Sequence, residues 1–226
     1  MLKRKQKGNF IVISGPSGAG KGSICKELVK RCDNVWLSIS MTTREPRSGE
    51  KHGVDYFFIS KEEFLRNIEE NKFLEYAIVH GNHYYGTPKE PINDYLNNGI
   101  DVILEIDING ALQIKEKYQE AVFIFILPPS MEELKARLMK RQTETEESLI
   151  ERFKKSYQEI NYISKYNYVV VNDNLSKATE KVKAIIIAER CRVDRIEEIH
   201  LNSDEEKIHE KLIDNKKYKN SDNFIK

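Results

Sequence analysis

"NFIVISGPSGAGKGSICKELVKRC" (residues 9–32) decides the fold. Its first six residues are a mostly apolar run of strand length. They lead into a turn holding Gly15, Gly18 and Gly20, and then into a segment with Ile24, Leu28, Val29 and Cys32 at helical spacing. Strand, glycine turn and helix in that order let backbone N–H groups converge on an anion, with the positive end of the helix dipole behind them. The residues from Gly15 to Lys21 read Gly-x-x-x-x-Gly-Lys, a lysine placed to reach the outer phosphates of a bound nucleotide. A hydroxyl residue normally follows that lysine. Here position 22 is Gly and the hydroxyl arrives one place later, at Ser23. Mg²⁺ keeps several of its waters and leans on substrate phosphates, so a loop without that direct ligand still suits nucleotide chemistry.

Away from this stretch, "DVILEID" (101–107), "AVFIFIL" (121–127) and "YNYVVVND" (166–173) read as three more central strands. Helical segments are expected at 109–117, 129–162 and 177–195. Strands alternating with helices predict an α/β protein with a parallel sheet flanked by helices. Two stretches break the rhythm. Residues 38–88 mix short alternating runs, glycine turns, tyrosines and arginines, and are expected to form an α+β insertion. Residues 129–162 are charged and helical, and are expected to form a mobile lid. The expected partition is therefore a core of 1–37, 89–128 and 163–200, an insertion at 38–88, a lid at 129–162, and a polar tail at 201–226 that is peripheral or disordered.

Bulk properties exclude other classes. Of 226 residues, 37 are Lys or Arg and 36 are Asp or Glu. This lacks the basic excess of a nucleic-acid binder. The apolar runs are strand-sized, too short to span a membrane, and the basic start "MLKRKQKG" leads into no long apolar stretch. Three cysteines match no metal or disulfide spacing, which points to a reducing compartment and a cytoplasmic protein.

A second site is written in "SISMTTREPRSGEKHGVDYFF" (38–58). Arg44 and Arg47 lie three apart with Pro46 between them, and two guanidinium forks suit a dianionic phosphate. Tyr56, Tyr84 and Tyr85 can add phenolic hydrogen bonds. On composition alone, a solvated basic turn with core tyrosines accounts for these residues better. Glu105 and Asp107 stand two apart at a strand end, so they share the face that meets a ligand crevice; strand-end carboxylates held by local hydrogen bonds are the equal alternative. Ser130-x-x-Glu133 is a capping box, which puts Arg137 and Arg141 on one helix face.

Five stretches in order, "SGPSGAGKG", "SMTTREPRSGEKHGVDYFF", "FLEYAIVHGNHYYGTP", "LEIDINGALQIK" and "RQTETEESLIERFKKSYQEI", resemble the guanylate kinase family of nucleoside monophosphate kinases. The resemblance runs from about residue 9 to 195. It implies a P-loop nucleoside-kinase fold with a GMP-binding insertion and a lid, and the reaction ATP + GMP ⇌ ADP + GDP with Mg²⁺. It implies an ATP site at Gly15, Pro16, Ser17, Gly18, Ala19, Gly20, Lys21, Gly22, Ser23, Arg137, Arg141 and Asn172. It implies a GMP site at Ser40, Arg44, Arg47, Tyr56, Glu75, Tyr85, Thr87 and Asp107. Catalytic charge falls to Lys21, Arg44, Arg137, Arg141 and Arg152. Ser23, directly or through water, and Asp107, through water, are the implied metal contacts. Guanine offers N1–H and N2–H₂ as adjacent donors, which the Glu75 carboxylate can accept as a pair, with Ser40 and Thr87 reading beside it.

The chain departs from the family at three places. Gln142 stands where Gly is frequent, and Gly22 breaks the general phosphate-loop pattern. His83 adds a residue to the expected "GNYYG", so either Tyr84 or Tyr85 is the phosphate ligand, and the spacing to Gly86 and Thr87 favours Tyr85. The expected partners are GMP and ATP, with no nucleic acid or membrane, in a monomer or homodimer. A kinase acting on a ribosyl phosphate and a non-catalytic guanylate-kinase-like binding module are the rival readings. The guanine reader argues against the first and the intact Gly20-Lys21 against the second.

Overall fold

A computed structural model describes residues 3–79, 83–139, 146–193 and 196–200. In chain order they form β1 (Lys3–Gln6), β2 (Phe10–Ser14), α1 (Lys21–Arg31), β3 (Val35–Leu37), β4 (Met41–Thr42), β5 (Phe57–Phe58), α2 (Lys61–Glu69), β6 (Phe73–Val79), β7 (His83–Pro88) and α3 (Ile92–Asn97). Then follow β8 (Asp101–Glu105), α4 (Ile108–Lys117), β9 (Val122–Leu127), α5 (Met131–Met139), α6 (Glu146–Ile160), β10 (Tyr168–Val171), α7 (Leu175–Glu189) and β11 (Ile196–His200).

The core is a five-stranded sheet in the order β10-β9-β2-β8-β3, parallel throughout. The central strands β2, β8 and β9 read as unbroken apolar runs because both of their faces are covered, while the edge strand β10 leaves Val169 and Val171 exposed. Side chains alternate along β2: Ile11 and Ile13 pack with Ile24 and Leu28 of α1 and with Val182 and Ile186 of α7. Phe10 and Val12 turn the other way, toward Leu96 of α3 and Ile114 of α4. β2 lies between β8 and β9, so the glycine turn after it opens at the carboxyl edge of the sheet, where parallel α/β sheets place ligands.

The four predicted core strands are present, and β3 adds an edge strand too short to carry a pattern of its own. The expected helix at 177–195 instead ends at Glu189. Its last buried apolar residue is Ile186, and the helix closes with the buried Glu189. Residues 196–200 then pair antiparallel with β1, a second correction, since this segment was not read as a strand. The helical stretch at 129–162 is two helices, α5 and α6, followed by a 3₁₀ turn at Asn161–Lys165. Residues 140–145, which include Arg141 and Gln142, and the tail at 201–226 lie outside the described residues.

A separate mixed sheet, ordered β5-β4-β7-β6, is built from residues 41–88. Its β6 and β7 form an antiparallel pair that sets Glu75 opposite Thr87. Helix α4 is strapped to β6 by polar contacts. The Gln113 amide donates to the Tyr76 carbonyl at 2.8 Å, and the Lys117 ammonium donates to the Leu74 carbonyl at 3.1 Å. Among the described residues, no helix is long and apolar enough to cross a membrane.

Candidate active site

The phosphate loop is a tight glycine turn. Gly15, Gly18 and Gly20 all have positive φ, at 140°, 87° and 92°, a conformation that side-chain-bearing residues rarely adopt. The Lys21 ammonium folds back over the loop and donates to the Gly15 carbonyl at 2.6 Å and the Pro16 carbonyl at 3.2 Å. Loss of hydration holds its pKa below the ordinary lysine value, opposed by the negative charges of Glu105, Glu159 and Asp107. The hydroxyl missing at position 22 has a physical counterpart. A Cβ added at Gly22 would stand 3.3 Å from both oxygens of Glu105, so the carboxylate at the end of β8 occupies the space beside the position where a side chain would project.

One cleft of about 470 Å³ joins this loop to the mixed sheet. It is lined by Gly15, Ser17, Gly18, Gly20, Lys21, Gly22 and Ser23 on the core side, and by Ser40, Arg47, Tyr56, Glu75 and Tyr85 on the other. Glu105 and Asp107 lie between them. Pro16 and Ala19 are buried in the loop. The Asp107 carboxylate also caps α4, accepting the Gly110 N–H at 2.8 Å, so the local-hydrogen-bond reading holds for one of its oxygens.

On the acceptor side, Arg44 is aimed by its neighbours. Its guanidinium makes a fork with the Glu50 carboxylate, at 3.0 and 3.1 Å, and its Nε donates to the Tyr85 hydroxyl at 3.0 Å. Tyr56 lies under it, 5.5 Å from ring centre to guanidinium carbon. Burial and the nearby Glu105 push the Tyr56 phenol well above its usual pKa, so it stays a neutral donor. Tyr85 lines the cleft. Tyr84 points away from it, with its ring 5.4 Å from Phe64.

Glu75 is 4% exposed. The Thr87 hydroxyl donates to its Oε1 at 2.5 Å. Burial pushes the carboxyl up to about 7, and Asp107 adds to the rise, while the hydrogen bonds from Thr87 and the charge of Lys117 oppose it. A carboxylate so placed is poorly solvated and gains from any ligand that brings two donors.

At the start of α5 the Glu133 N–H donates to the Ser130 hydroxyl at 3.1 Å, as the capping-box spacing predicts. Arg137 is held between the Glu133 carboxylate at 2.9 Å and the Asn172 carbonyl at 3.0 Å. The Asn172 side chain donates to the Ala19 carbonyl at 2.8 Å and buttresses the phosphate loop. The backbone of Arg152 lies in α6, but its side chain, like all of Arg141, lies outside the described residues.

Several cleft residues carry no local sequence signal. Glu50 is part of the quoted arginine stretch, yet nothing in its spacing shows that it forks Arg44. Lys26 and Asp55 pair at 2.6 Å across 29 residues, tying α1 to the insertion. Lys155 and Glu159 reach the cleft from α6. Glu159 accepts a hydrogen bond from the Ser17 backbone, and burial raises its pKa.

Comparison with known proteins agrees with this geometry. The family profile described as guanylate kinase matches residues 7–189. A guanylate kinase of Clostridium tetani (strain Massachusetts / E88) is 63% identical over 209 residues, covering 92% of this chain and 100% of the relative. One of Caldanaerobacter subterraneus subsp. tengcongensis is 61% identical over 204 residues, covering 90% and 98%. The crystal structure of guanylate kinase from Anaplasma phagocytophilum superposes with a TM-score of 0.73 at 34% identity, covering 86% of this chain and 92% of that one. With the match spanning most of the chain, and with the parallel sheet and phosphate loop in place, the chain belongs to the guanylate kinase family.

Proposed function

We propose that the cleft transfers the γ-phosphoryl group of ATP to GMP, giving ADP and GDP. The observation that carries this reading is the joining of two recognition elements in one cavity: the phosphate loop with Lys21, and the buried Glu75 held by Thr87. GMP lies on the insertion, 38–88. Its phosphate meets Arg44, Arg47, Tyr56 and Tyr85, and its base meets Glu75, Ser40 and Thr87. ATP lies on the loop, and the segment 129–162 closes over it, bringing Arg137, Arg141 and Arg152 to the triphosphate.

The reaction needs no general base, because the attacking oxygen of GMP is already ionised near neutral pH. What remains is alignment and neutralisation of charge on the transferred group. Lys21 supplies the fixed positive charge. Arg44, aimed by Glu50, holds the acceptor phosphate and screens its repulsion from the donor. Closure excludes water, which would otherwise consume ATP.

The oxygens available for Mg²⁺ are Ser23, Asp107 and Glu105, a hard donor set at the cleft floor. No cluster of three acidic, His or Cys side chains among the described residues makes a protein-only cage, which fits an ion that arrives with its nucleotide. Bound there, it adds charge neutralisation at the phosphates. We place the protein in the cytoplasm, where its three free cysteines remain reduced.

A coupled ADP-release assay with ATP, Mg²⁺ and each of GMP, AMP, CMP and UMP tests the proposal. GMP alone supporting rapid turnover is the predicted result. A ribosyl phosphate supporting it better would favour the rival kinase, and no turnover with any acceptor would favour a binding module.

A further inference from the structure

We propose that Gly110 is a positioning residue for base selection: the side chain it lacks leaves the space in which the Glu75 carboxylate stands. This rests on the reading of Glu75 as the guanine reader and adds the residue that sets its position. Gly110 lies in the first turn of α4 and has no positive φ, so its backbone does not require glycine. A Cβ built on it would lie 2.5 Å from Glu75 Oε2 and 3.0 Å from Glu75 Cδ. Ordinary van der Waals contact begins at 3.4 Å, so the carboxylate oxygen would have to move by about 0.9 Å.

The surroundings prevent relief by other means. Helix α4 is tethered to β6, where Gln113 donates to the Tyr76 carbonyl and Lys117 to the Leu74 carbonyl. The turn containing Gly110 cannot rotate freely, because its own N–H is taken by the Asp107 cap at 2.8 Å. Oε1 is held by Thr87 at 2.5 Å, so the carboxylate pivots about that bond and Oε2 is the atom displaced. The second acceptor of the pair offered to guanine N1–H and N2–H₂ is thus the one moved out of line.

Helix propensity alone gives the opposite expectation. Replacing a helical Gly by Ala ordinarily stabilises. A loss of guanine selection in Gly110→Ala would therefore arise from the contact with Glu75 and not from the helix.

The test is Gly110→Ala alone and combined with Glu75→Ala, measuring kcat/KM for GMP and for IMP, KM for ATP, and melting temperature. IMP differs from GMP only in lacking the 2-amino donor. Gly110→Ala is expected to lose about 10- to 100-fold in kcat/KM for GMP, the scale of an ångström-sized misplacement. ATP KM should stay within about twofold, and the wild-type preference for GMP over IMP should shrink. In the Glu75→Ala background, where nothing remains to be struck, Gly110→Ala should cost no further activity. If Gly110→Ala alone fails to fold, adding Glu75→Ala should restore folding.

Equal losses with and without Glu75, a matching rise in ATP KM, or misfolding that Glu75→Ala does not relieve would overturn the proposal. A wild type without preference for GMP over IMP, or a Glu75→Ala variant with unchanged GMP use, would overturn the reading of Glu75 itself. Harmful Glu75→Ala with harmless Gly110→Ala overturns only the inference drawn here.

Discussion

Replacing Glu75 by Gln separates what the residue does for GMP from what it does to the fold. Burial pushes the Glu75 carboxyl from the ordinary 4.5 of an exposed glutamate up to about 7. A raised folded pKa means that stability is fully present below about pH 4.5 and is lost as pH rises through about 7. Between pH 5.5 and 8 this one group removes about 2 kcal/mol from the wild type. Glutamine has the same shape and no such titration. Glu75→Gln should therefore melt above the wild type by a margin that widens by roughly 4–8 °C over that pH range. Catalysis should move the other way. Thr87 donates to Oε1, so the amide oxygen of glutamine keeps that bond and its NH₂ faces guanine. Two donors then oppose each other out of water, costing about 1–3 kcal/mol. The expected loss in kcat/KM for GMP is about 10- to 100-fold. Initial rates and melting curves at four pH values measure both arms. A folded variant with GMP efficiency within about twofold of wild type, or a stability gap that does not change with pH, would refute the reasoning.

Three further outcomes are expected. Lys21→Met should lower turnover by about 10²–10³-fold while GMP binding by titration calorimetry stays near wild type, because the lysine faces the donor phosphates; retention of more than about a tenth of normal turnover would contradict that role. GMP binding at pH 7 should release about half a proton more from wild type than from Glu75→Gln, read from calorimetry in buffers of different ionisation enthalpy, because the donors of guanine favour the ionised carboxylate; equal release from both proteins would count against it. Hydrogen exchange should slow within 38–88 on adding GMP and within 129–162 on adding a non-hydrolysable ATP analogue, and unchanged exchange in both segments would argue against their movement.

The core was legible because its signals are local. An apolar run, a glycine turn and a periodic segment lie within residues 9–32, and β8, β9 and β10 repeat the first of those signals. The edge elements were not legible. β3 is three residues long, and β1 pairs with β11 almost 200 residues away, a contact that no window of sequence contains. The cleft divides the same way. Lys21 announces itself by motif, whereas Arg44 and Arg47 stand out only through the family resemblance, since composition alone favours a solvated basic turn. Glu50, Lys26 with Asp55, and Glu159 act through contacts set by folding. The amide of Asn172 bonds to the Ala19 carbonyl, a contact set by how β10 lies beside β9. Gly110 looks like an ordinary helix glycine until its distance to Glu75 is known.

The most direct test of the central claim is competition in one tube. Wild-type protein, Mg²⁺ and limiting γ-labelled ATP are mixed with equal amounts of GMP, AMP, CMP and UMP, and the labelled diphosphates are separated by chromatography. The account predicts label in GDP at about 100-fold or more over each other diphosphate, since the buried reader opposes a base without paired donors. Label spread evenly over the diphosphates, or released as inorganic phosphate, would contradict it.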